Sequence, residues 1–304
     1  MRLALAHSGV SPVALSALLG LVGVAARSSH EQWALLAAGN RDYSNYRFQS
    51  DVAHAYQRIR SGGVPHERIV SLSYDDVPPS PRNPYPGTLF NKATGQKPGV
   101  DVNENFTKSF TGAAVTAETF INALTCATLD ESAPCVASKA KDATLMVFWS
   151  GHGDAGLLYL PDMNASNSLY ADTLVAALHD AKSGARSRGR SQGFAQIVMF
   201  VEACDSGSMF DGFQLPDGVY VLTAAEPGQN SYPIYCCSFF RPPSCTIAGR
   251  DISSCLGDIF ATSVWEAADD PVNSGFSLDE MFGHARAITD PNGNPTGTGS
   301  RVTR

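Results

Sequence analysis

The chain has 304 residues, of which 43% are hydrophobic, 9% aromatic and 17% charged. This composition is typical of a globular protein and excludes a disordered chain, a collagen and a coiled coil. The 22 basic and 29 acidic side chains give a net charge of −7, which argues against nucleic acid or an anionic membrane as a partner.

The N-terminus has the organisation of a secretory signal peptide. Arg2 supplies a positive charge, and an apolar run that ends in small residues extends from 10 to 26. Polar residues follow at once, so we expect cleavage after Ala26 and a single mature domain over residues 27–304. No other run is long enough for a membrane helix, so we expect an exported chain without a stable membrane anchor.

Strand and helix patterns alternate along the rest of the chain. Apolar runs predict strands at 33–38, 68–74, 144–149, 197–201 and 219–225. Helical spacing of apolar residues predicts helices at 50–60, 116–124 and 172–182. The segments at 41–49, 77–112 and 183–193 are predicted to be loops. This alternation predicts an α/β fold with a mainly parallel central sheet flanked by helices.

Cysteines and glycan acceptor sequons support export. Seven cysteines in an oxidising compartment predict disulfides, and their odd number leaves at least one thiol free. Cys126 and Cys135 could close a small local loop. The remaining cluster fits a zinc site poorly, because its spacing is irregular, and its pairing stays open: Cys236, Cys237, Cys245 and Cys255. Asn105 and Asn164 begin the sequons and are candidate glycosylation sites. No metal or cofactor is expected.

Two of the most apolar predicted strands run directly into reactive residues. The strand at 144–149 leads to Ser-Gly-His152-Gly153, and the strand at 197–201 leads to Glu-Ala-Cys204. Functional sites in open α/β sheets lie beyond the carboxyl ends of strands, so we expect His152 and Cys204 to meet. The glycines beside His152 leave its imidazole uncovered, and a helix that begins after Cys204 would favour the thiolate.

This pair predicts cysteine-peptidase chemistry. Either residue alone would more often be structural, but their joint placement at two strand ends favours function. Cys204 would attack a peptide carbonyl, and His152 would give a proton to the leaving amine. Backbone N–H groups near Gly153 and Cys204 could hold the oxyanion. The sequence contains no Gly-x-Ser-x-Gly elbow, phosphate-binding loop or His-Glu-x-x-His motif.

Further sequence blocks, in a consistent order, connect the chain to a known family. They are Asn45-Tyr-Arg47-Phe-Gln, His54-Ala-Tyr, Tyr74-Asp-Asp, Asn83-Pro-Tyr-Pro-Gly, Phe110-Thr-Gly, Glu202-Ala-Cys204-Asp-Ser-Gly-Ser-Met-Phe and Thr223-Ala-Ala through Ser231-Tyr. From Trp33 to about Ile288 the chain resembles the legumain family, the asparaginyl endopeptidases. The resemblance implies a caspase-like three-layer sandwich and a thioester acyl-enzyme. It also implies cleavage after asparagine, or after aspartate at low pH, in a vacuole or lysosome or outside the cell.

The resemblance also implies roles for individual residues. Cys204 would be the nucleophile, His152 the general acid and base, and Asn45 the residue that orients the imidazole. The pocket for the substrate asparagine would be formed by Arg47, Glu202, Ser231 and Asp258, with Asp251 as the alternative to Asp258. A guanidinium and two carboxylates can satisfy both ends of an asparagine amide. The implied partners are peptides and proteins with an exposed asparagine, and self-processing is included.

Three features depart from the family pattern. Gly151 stands where the family usually has aspartate before His-Gly, and this form resembles the catalytic subunit of the GPI transamidase. A transamidase or peptide ligase on the same fold is therefore the alternative function. The segment between Ser231 and Asp258 is longer than in animal legumains and holds four cysteines. We expect residues 27–304 to form the peptidase domain alone, without the family's helical C-terminal prodomain.

Overall fold

The computed structural model describes residues 30–128, 130–237, 245–269, 278–290 and 301–303. In these residues the strands are β1 (Gln32–Ala38), β2 (Ile69–Leu72), β3 (Thr144–Ser150), β4 (Gly153–Asp154), β5 (Leu157–Tyr159), β6 (Ser168–Tyr170), β7 (Gln196–Glu202), β8 (Val219–Thr223), β9 (Pro233–Ile234), β10 (Thr246–Ile247), β11 (Arg250–Asp251) and β12 (Gly257–Asp258). The helices are α1 (Tyr46–Ser61), α2 (Ala117–Thr125), α3 (Ala171–Ser183), α4 (Ile259–Asp269) and α5 (Leu278–Thr289).

A parallel sheet in the order β2-β1-β3-β7-β8 forms the centre of the described part. Every residue of β3 is buried, and β7 is buried from its second residue onward. Continuous apolar strands of this kind suit a sheet that is covered on both faces. Ser150 at the end of β3 pairs with Glu202 at the end of β7, so the loops that follow both strands leave the same edge of the sheet.

Helices cover both faces of this sheet. Alternate side chains such as Phe148 and Phe200 form one core with α1, α4 and α5. Their neighbours in sequence, such as Trp149 and Val201, form a second core with α2 and α3. This division follows from the two-residue side-chain period of a strand. The predicted α/β fold, with a mainly parallel sheet between helices, is confirmed.

The first helix begins earlier than the sequence predicts. We expect a loop over 41–49 and a helix from Ser50, but α1 starts at Tyr46. Tyr46 and Phe48 are almost wholly buried against the core, and this packing extends the helix to residues that precede Ser50. The Ser50 hydroxyl instead lies within hydrogen-bond distance of two carbonyl acceptors, those of Arg47 and Leu256.

Other predicted elements lie within a few residues of the observed ones, and the long loop over 77–112 is confirmed up to a short 3-10 turn at Gly112–Ala114. Neither the small antiparallel sheet β4-β5-β6 nor the helices α4 and α5 were placed from the sequence. No helix in the described ranges is both long enough and apolar enough to cross a membrane.

The disulfide prediction is confirmed. Cys126 pairs with Cys135, as the local-loop interpretation expects. The four cysteines whose pairing stays open in the sequence form two bridges, Cys236–Cys255 and Cys237–Cys245. Cys204 is the remaining, free cysteine.

Candidate active site

The loops that carry His152 and Cys204 pack directly against each other. The Gly151 N–H donates a hydrogen bond to the Glu202 carbonyl at 3.0 Å. A Cβ atom on Gly153 would lie 2.5 Å from the Cys204 carbonyl oxygen, so only glycine permits this approach. The structure therefore brings the predicted histidine and cysteine loops together at one edge of the sheet.

His152 is held by two asparagines and one aromatic ring. Its backbone N–H donates to Asn40 Oδ1 at 2.7 Å, and its ring Nε2 lies 3.0 Å from Asn45 Oδ1. The Phe48 ring meets the imidazole edge to face, with ring centroids 4.9 Å apart. Because an amide oxygen only accepts, a neutral ring carries its proton on Nε2 and leaves Nδ1 as the basic nitrogen.

The imidazole is a weak base in this setting. Burial, and then the nearby positive charge of Arg47, lower the pKa of His152 from 6.5 to about 4. Burial removes water that would solvate the imidazolium, and the guanidinium repels it. His152 is thus neutral at mildly acidic pH and can accept a proton there.

Cys204 follows β7 and is half-buried. Its Sγ lies 3.8 Å from the Ser231 carbonyl oxygen and 4.0 Å from the Ser231 hydroxyl. The expectation of a helix directly after Cys204 is wrong. Asp205 adopts a left-handed conformation (φ 53°), and only a short 3-10 turn, Ser206–Met209, comes next. A turn of this length supplies no helix dipole of the size that was expected.

A buried charged cluster lies next to this edge. Arg47, in the first turn of α1, donates from Nε to Asp258 Oδ1 at 3.0 Å. Glu202 Oε2 accepts a hydrogen bond from the Ala261 backbone N–H at 3.0 Å. The other carboxyl oxygens, Glu202 Oε1 and Asp258 Oδ2, are buried without a hydrogen-bond donor in the described residues. Two acceptors in this state are suited to a ligand that brings N–H groups.

The carboxyl groups of this cluster hold protons more tightly than usual. Burial, and then the charge of Asp258, raise the pKa of Glu202 from 4.5 to about 8, against the opposing effects of Ser231, Ala261 and Arg47. Burial also raises the pKa of Asp258, while Arg47 opposes that shift. At mildly acidic pH, Glu202 is therefore neutral and places no second negative charge beside the Arg47–Asp258 ion pair.

The structure separates the two aspartates that the sequence leaves as alternatives. Asp258 contacts Arg47, as described. Asp251 lies in the β10-β11 hairpin, is exposed, and contacts the Cys237 and Cys245 sulfurs. These three residues are a cluster with metal-ligand donor atoms, but the two sulfurs are joined in a disulfide and supply no thiolate ligands.

Gly151, which departs from the family pattern, occupies a confined position. A Cβ atom there would meet Asn40 Oδ1, the Gly39 Cα and Trp149 Nε1, each at 3.1 Å. These distances are tighter than most Cβ contacts, and Asn40 is the residue that holds the His152 backbone. The glycine thus fits the packing beneath the histidine loop.

Two residues of this site were missed from the sequence. Asn40 follows β1 and holds His152, and Asp51 lies on α1 one turn after Arg47, where it is wholly buried. The spacing of Arg47 and Asp51 places both on one helix face, but the sequence predicts a loop at Arg47. The helical spacing was therefore not available as a signal.

Comparisons with known proteins assign the chain to a family. A model of the peptidase C13 family matches residues 32–302, and the chain belongs to this family. The vacuolar-processing enzyme beta-isozyme of Arabidopsis thaliana is 34% identical over 276 residues, which are 89% of this chain and 52% of the relative. The vacuolar-processing enzyme of Phaseolus vulgaris is 35% identical over 255 residues (83% and 48%). The legumain of Canavalia ensiformis is 32% identical over 275 residues (89% and 54%).

The chain thus spans about half the length of these relatives. Among solved structures, caspase-1 from Spodoptera frugiperda has a TM-score of 0.44 and 11% sequence identity, with 92% of each chain covered.

Proposed function

We propose that this chain is a cysteine endopeptidase that cleaves after asparagine, and after aspartate at low pH. The observation that carries the proposal is the contact between the loop of the free Cys204 and the loop of His152, beside the buried Arg47–Asp258 pair. The relatives named legumain and vacuolar-processing enzyme support it. The name of the vacuolar-processing enzymes also supports a vacuolar location for this chain.

In the proposed first step, the neutral His152 ring accepts the thiol proton of Cys204 as Sγ attacks the scissile carbonyl carbon. A C–S bond forms, and the carbonyl electron pair moves to oxygen. Backbone N–H groups of Gly153 and Cys204 would hold that oxyanion. Asn45, through its contact with Nε2, keeps the ring in the tautomer whose Nδ1 is free.

In the next steps the intermediate collapses and the C–N bond breaks. His152 gives its proton to the amine nitrogen, the amine product leaves, and a thioester joins Cys204 to the acyl fragment. Water then attacks the thioester carbonyl while His152 takes its proton. The C–S bond breaks, the proton returns to sulfur, and the acid product is released.

The proposed specificity follows from the unpaired acceptors. An asparagine side chain brings two N–H donors to Glu202 Oε1 and Asp258 Oδ2, and its oxygen can accept from the Arg47 guanidinium. Ser231 would border this pocket, since it lies beside the Cys204 sulfur. An aspartate side chain lacks the N–H groups and is repelled by Asp258 until it is protonated, which limits its cleavage to acid.

The proposal is tested by mapping the cleavage sites of the full chain in a random peptide pool, at about pH 5 and about pH 7. We expect cuts after asparagine at both values and added cuts after aspartate only at the lower one. Cuts without preference for asparagine would contradict the pocket assignment. An added amine nucleophile in the same assay separates hydrolysis from transfer, and mass spectrometry of ligated products would favour the transamidase alternative.

A bell-shaped pH profile is a second expected result. On the acid side, kcat/KM should fall below about pH 4, because protonated His152 cannot accept the thiol proton. On the alkaline side it should fall above about pH 8, where Glu202 ionises and places a second negative charge beside Asp258. Initial rates on an asparagine peptide across this range check both limbs. A profile without the alkaline fall would contradict the role of Glu202.

Export and processing belong to the proposal as well. The signal peptide expected at residues 1–26 lies outside the described residues. Asn105 and Asn164 are both exposed, as glycan attachment requires. Cleavage of the chain at one of its own asparagines is proposed as a secondary reaction of the same site.

A further inference from the structure

Asp51 is a buried carboxyl group that the proposed reaction does not use. Its Oδ1 accepts a hydrogen bond from Asn91 Nδ2 at 2.8 Å and lies 3.4 Å from the Asp258 backbone N–H. Its Oδ2 contacts the Ser150 hydroxyl at 2.9 Å. A buried carboxyl group with hydrogen-bonding neighbours on three different segments does more than occupy volume in the core.

These neighbours are the segments that build the site. Ser150 ends β3 and precedes the histidine loop by one residue. Asp258, in β12, is the ion-pair partner of Arg47, and Arg47 lies one turn before Asp51 on α1. The approach is close, since a Cβ atom on Gly257 would lie 3.1 Å from Asp51 Oδ1. Asp51 therefore joins the histidine loop, the proposed pocket and the helix that carries the guanidinium.

The charges around Asp51 favour its neutral form. Glu202 at the end of β7 and Asp258 on β12 face it as acids, and Arg47 on its own helix is already paired with Asp258. On the remaining side, Asn91 connects it to His54, which in turn contacts Asp269. Burial, and then the charges of Asp258 and Glu202, raise the pKa of Asp51 well above its ordinary value. The neighbouring Asp51 side chain in turn lowers the pKa of Asp258.

We propose that Asp51 is a positioning residue that acts as a protonated carboxylic acid, holding the Asp258 backbone beside Arg47 and tying this pocket to the histidine loop through Ser150. This inference rests on the proposed function. Asp51 keeps a proton beneath the asparagine pocket, and substrate binding requires this neutral state.

The test compares Asp51→Asn with Asp51→Ala in the full chain. Asparagine keeps the acceptor toward Asn91 and replaces the acid O–H with an N–H donor, so it reproduces the neutral acid. At about pH 5 we expect Asp51→Ala to lose about 10- to 100-fold in kcat/KM, mainly through KM, because its buried partners lose their hydrogen bonds. Asp51→Asn should recover most of that loss. Equal losses in the two variants, or no loss in Asp51→Ala, would overturn the proposal.

A stability measurement gives a readout that needs no activity. The folded chain keeps the Asp51 proton to higher pH than the unfolded chain, so this carboxyl stabilises the fold most at low pH and less as the pH rises. Asp51→Asn cannot titrate. The Tm of this variant should therefore rise relative to the parent between about pH 4 and about pH 8. A Tm difference that is constant with pH would mean that Asp51 is already ionised, and the proposal would fail.

The matched control is Ser71→Ala. Ser71 lies on β2, outside the site, and the change removes the hydrogen bond that its buried hydroxyl donates to the Thr107 carbonyl. It should lower Tm and leave KM unchanged. The activity of the unmodified parent protein tests the proposed function separately from the role of Asp51. A parent that cleaves no asparagine peptide contradicts the proposed function. A parent that cleaves, with variants that depart from the pattern above, contradicts only the role of Asp51.

Discussion

Replacing Cys204 with alanine is expected to reduce kcat/KM on an asparagine reporter peptide by roughly 10³-fold or more. Without the sulfur no thioester can form, and what remains is catalysis by binding and by backbone N–H groups alone. Among the described residues, Sγ has hydrogen-bond contacts with Ser231 alone, so its removal should leave the fold intact. Steady-state kinetics and a thermal unfolding curve on the same preparation measure both effects.

The double variant Cys204→Ala/His152→Ala tests whether the two residues act in the same step. If the sulfur and the imidazole act in the same step, the loss in the double variant should be close to the loss in either single variant. Independent roles would instead multiply the two losses. Cleavage by Cys204→Ala at the parental rate would contradict the assignment of the nucleophile.

Arg47→Ala is expected to produce the second largest loss, about 100-fold or more in kcat/KM on asparagine peptides. The change removes the only cation in contact with Asp258 among the described residues, and it takes away the donor for the substrate side-chain oxygen. It also leaves buried carboxyl groups without a counter-charge, which costs stability. The loss should appear mainly in KM, because the guanidinium binds the substrate side chain and not the reacting atoms.

Arg58→Ala on the same helix is the matched control. Arg58 is also partly buried and forms an ion pair with Asp269, with Nε 3.2 Å from Oδ1, but it lies three turns away from Arg47. It should lose thermal stability to a comparable degree while kcat/KM stays close to the parental value. A parallel loss of activity in both variants would show that Arg47 acts through folding and not through the pocket.

The central sheet could be predicted because its strands carry their own signal. A continuous apolar run such as 144–149 predicts a strand in a sheet that is covered on both faces, because its side chains on both sides avoid water there. The start of α1 could not be predicted in the same way. Tyr46 and Phe48 are helical because they are packed in the core, whereas the helical spacing of apolar residues predicts a start at Ser50.

Some residues of the candidate site could likewise be predicted from the sequence, and others could not. Cys204 and His152 follow predicted strands directly, so parallel pairing alone places their loops at one edge. Asp51 and Asn40 gave no such signal, because their importance depends on which segments fold against them. The helix expected after Cys204 failed for a local reason: the left-handed conformation of Asp205 interrupts the backbone where a helix would have to begin.

The distribution of sulfur in the chain has a practical consequence. Six of the seven cysteines are joined in pairs, and the half-buried Cys204 is the single thiol that remains. Under non-denaturing conditions an alkylating reagent thus has one target per molecule. The stoichiometry of its incorporation counts competent nucleophiles directly, so turnover numbers can be normalised to functional centres rather than to total protein.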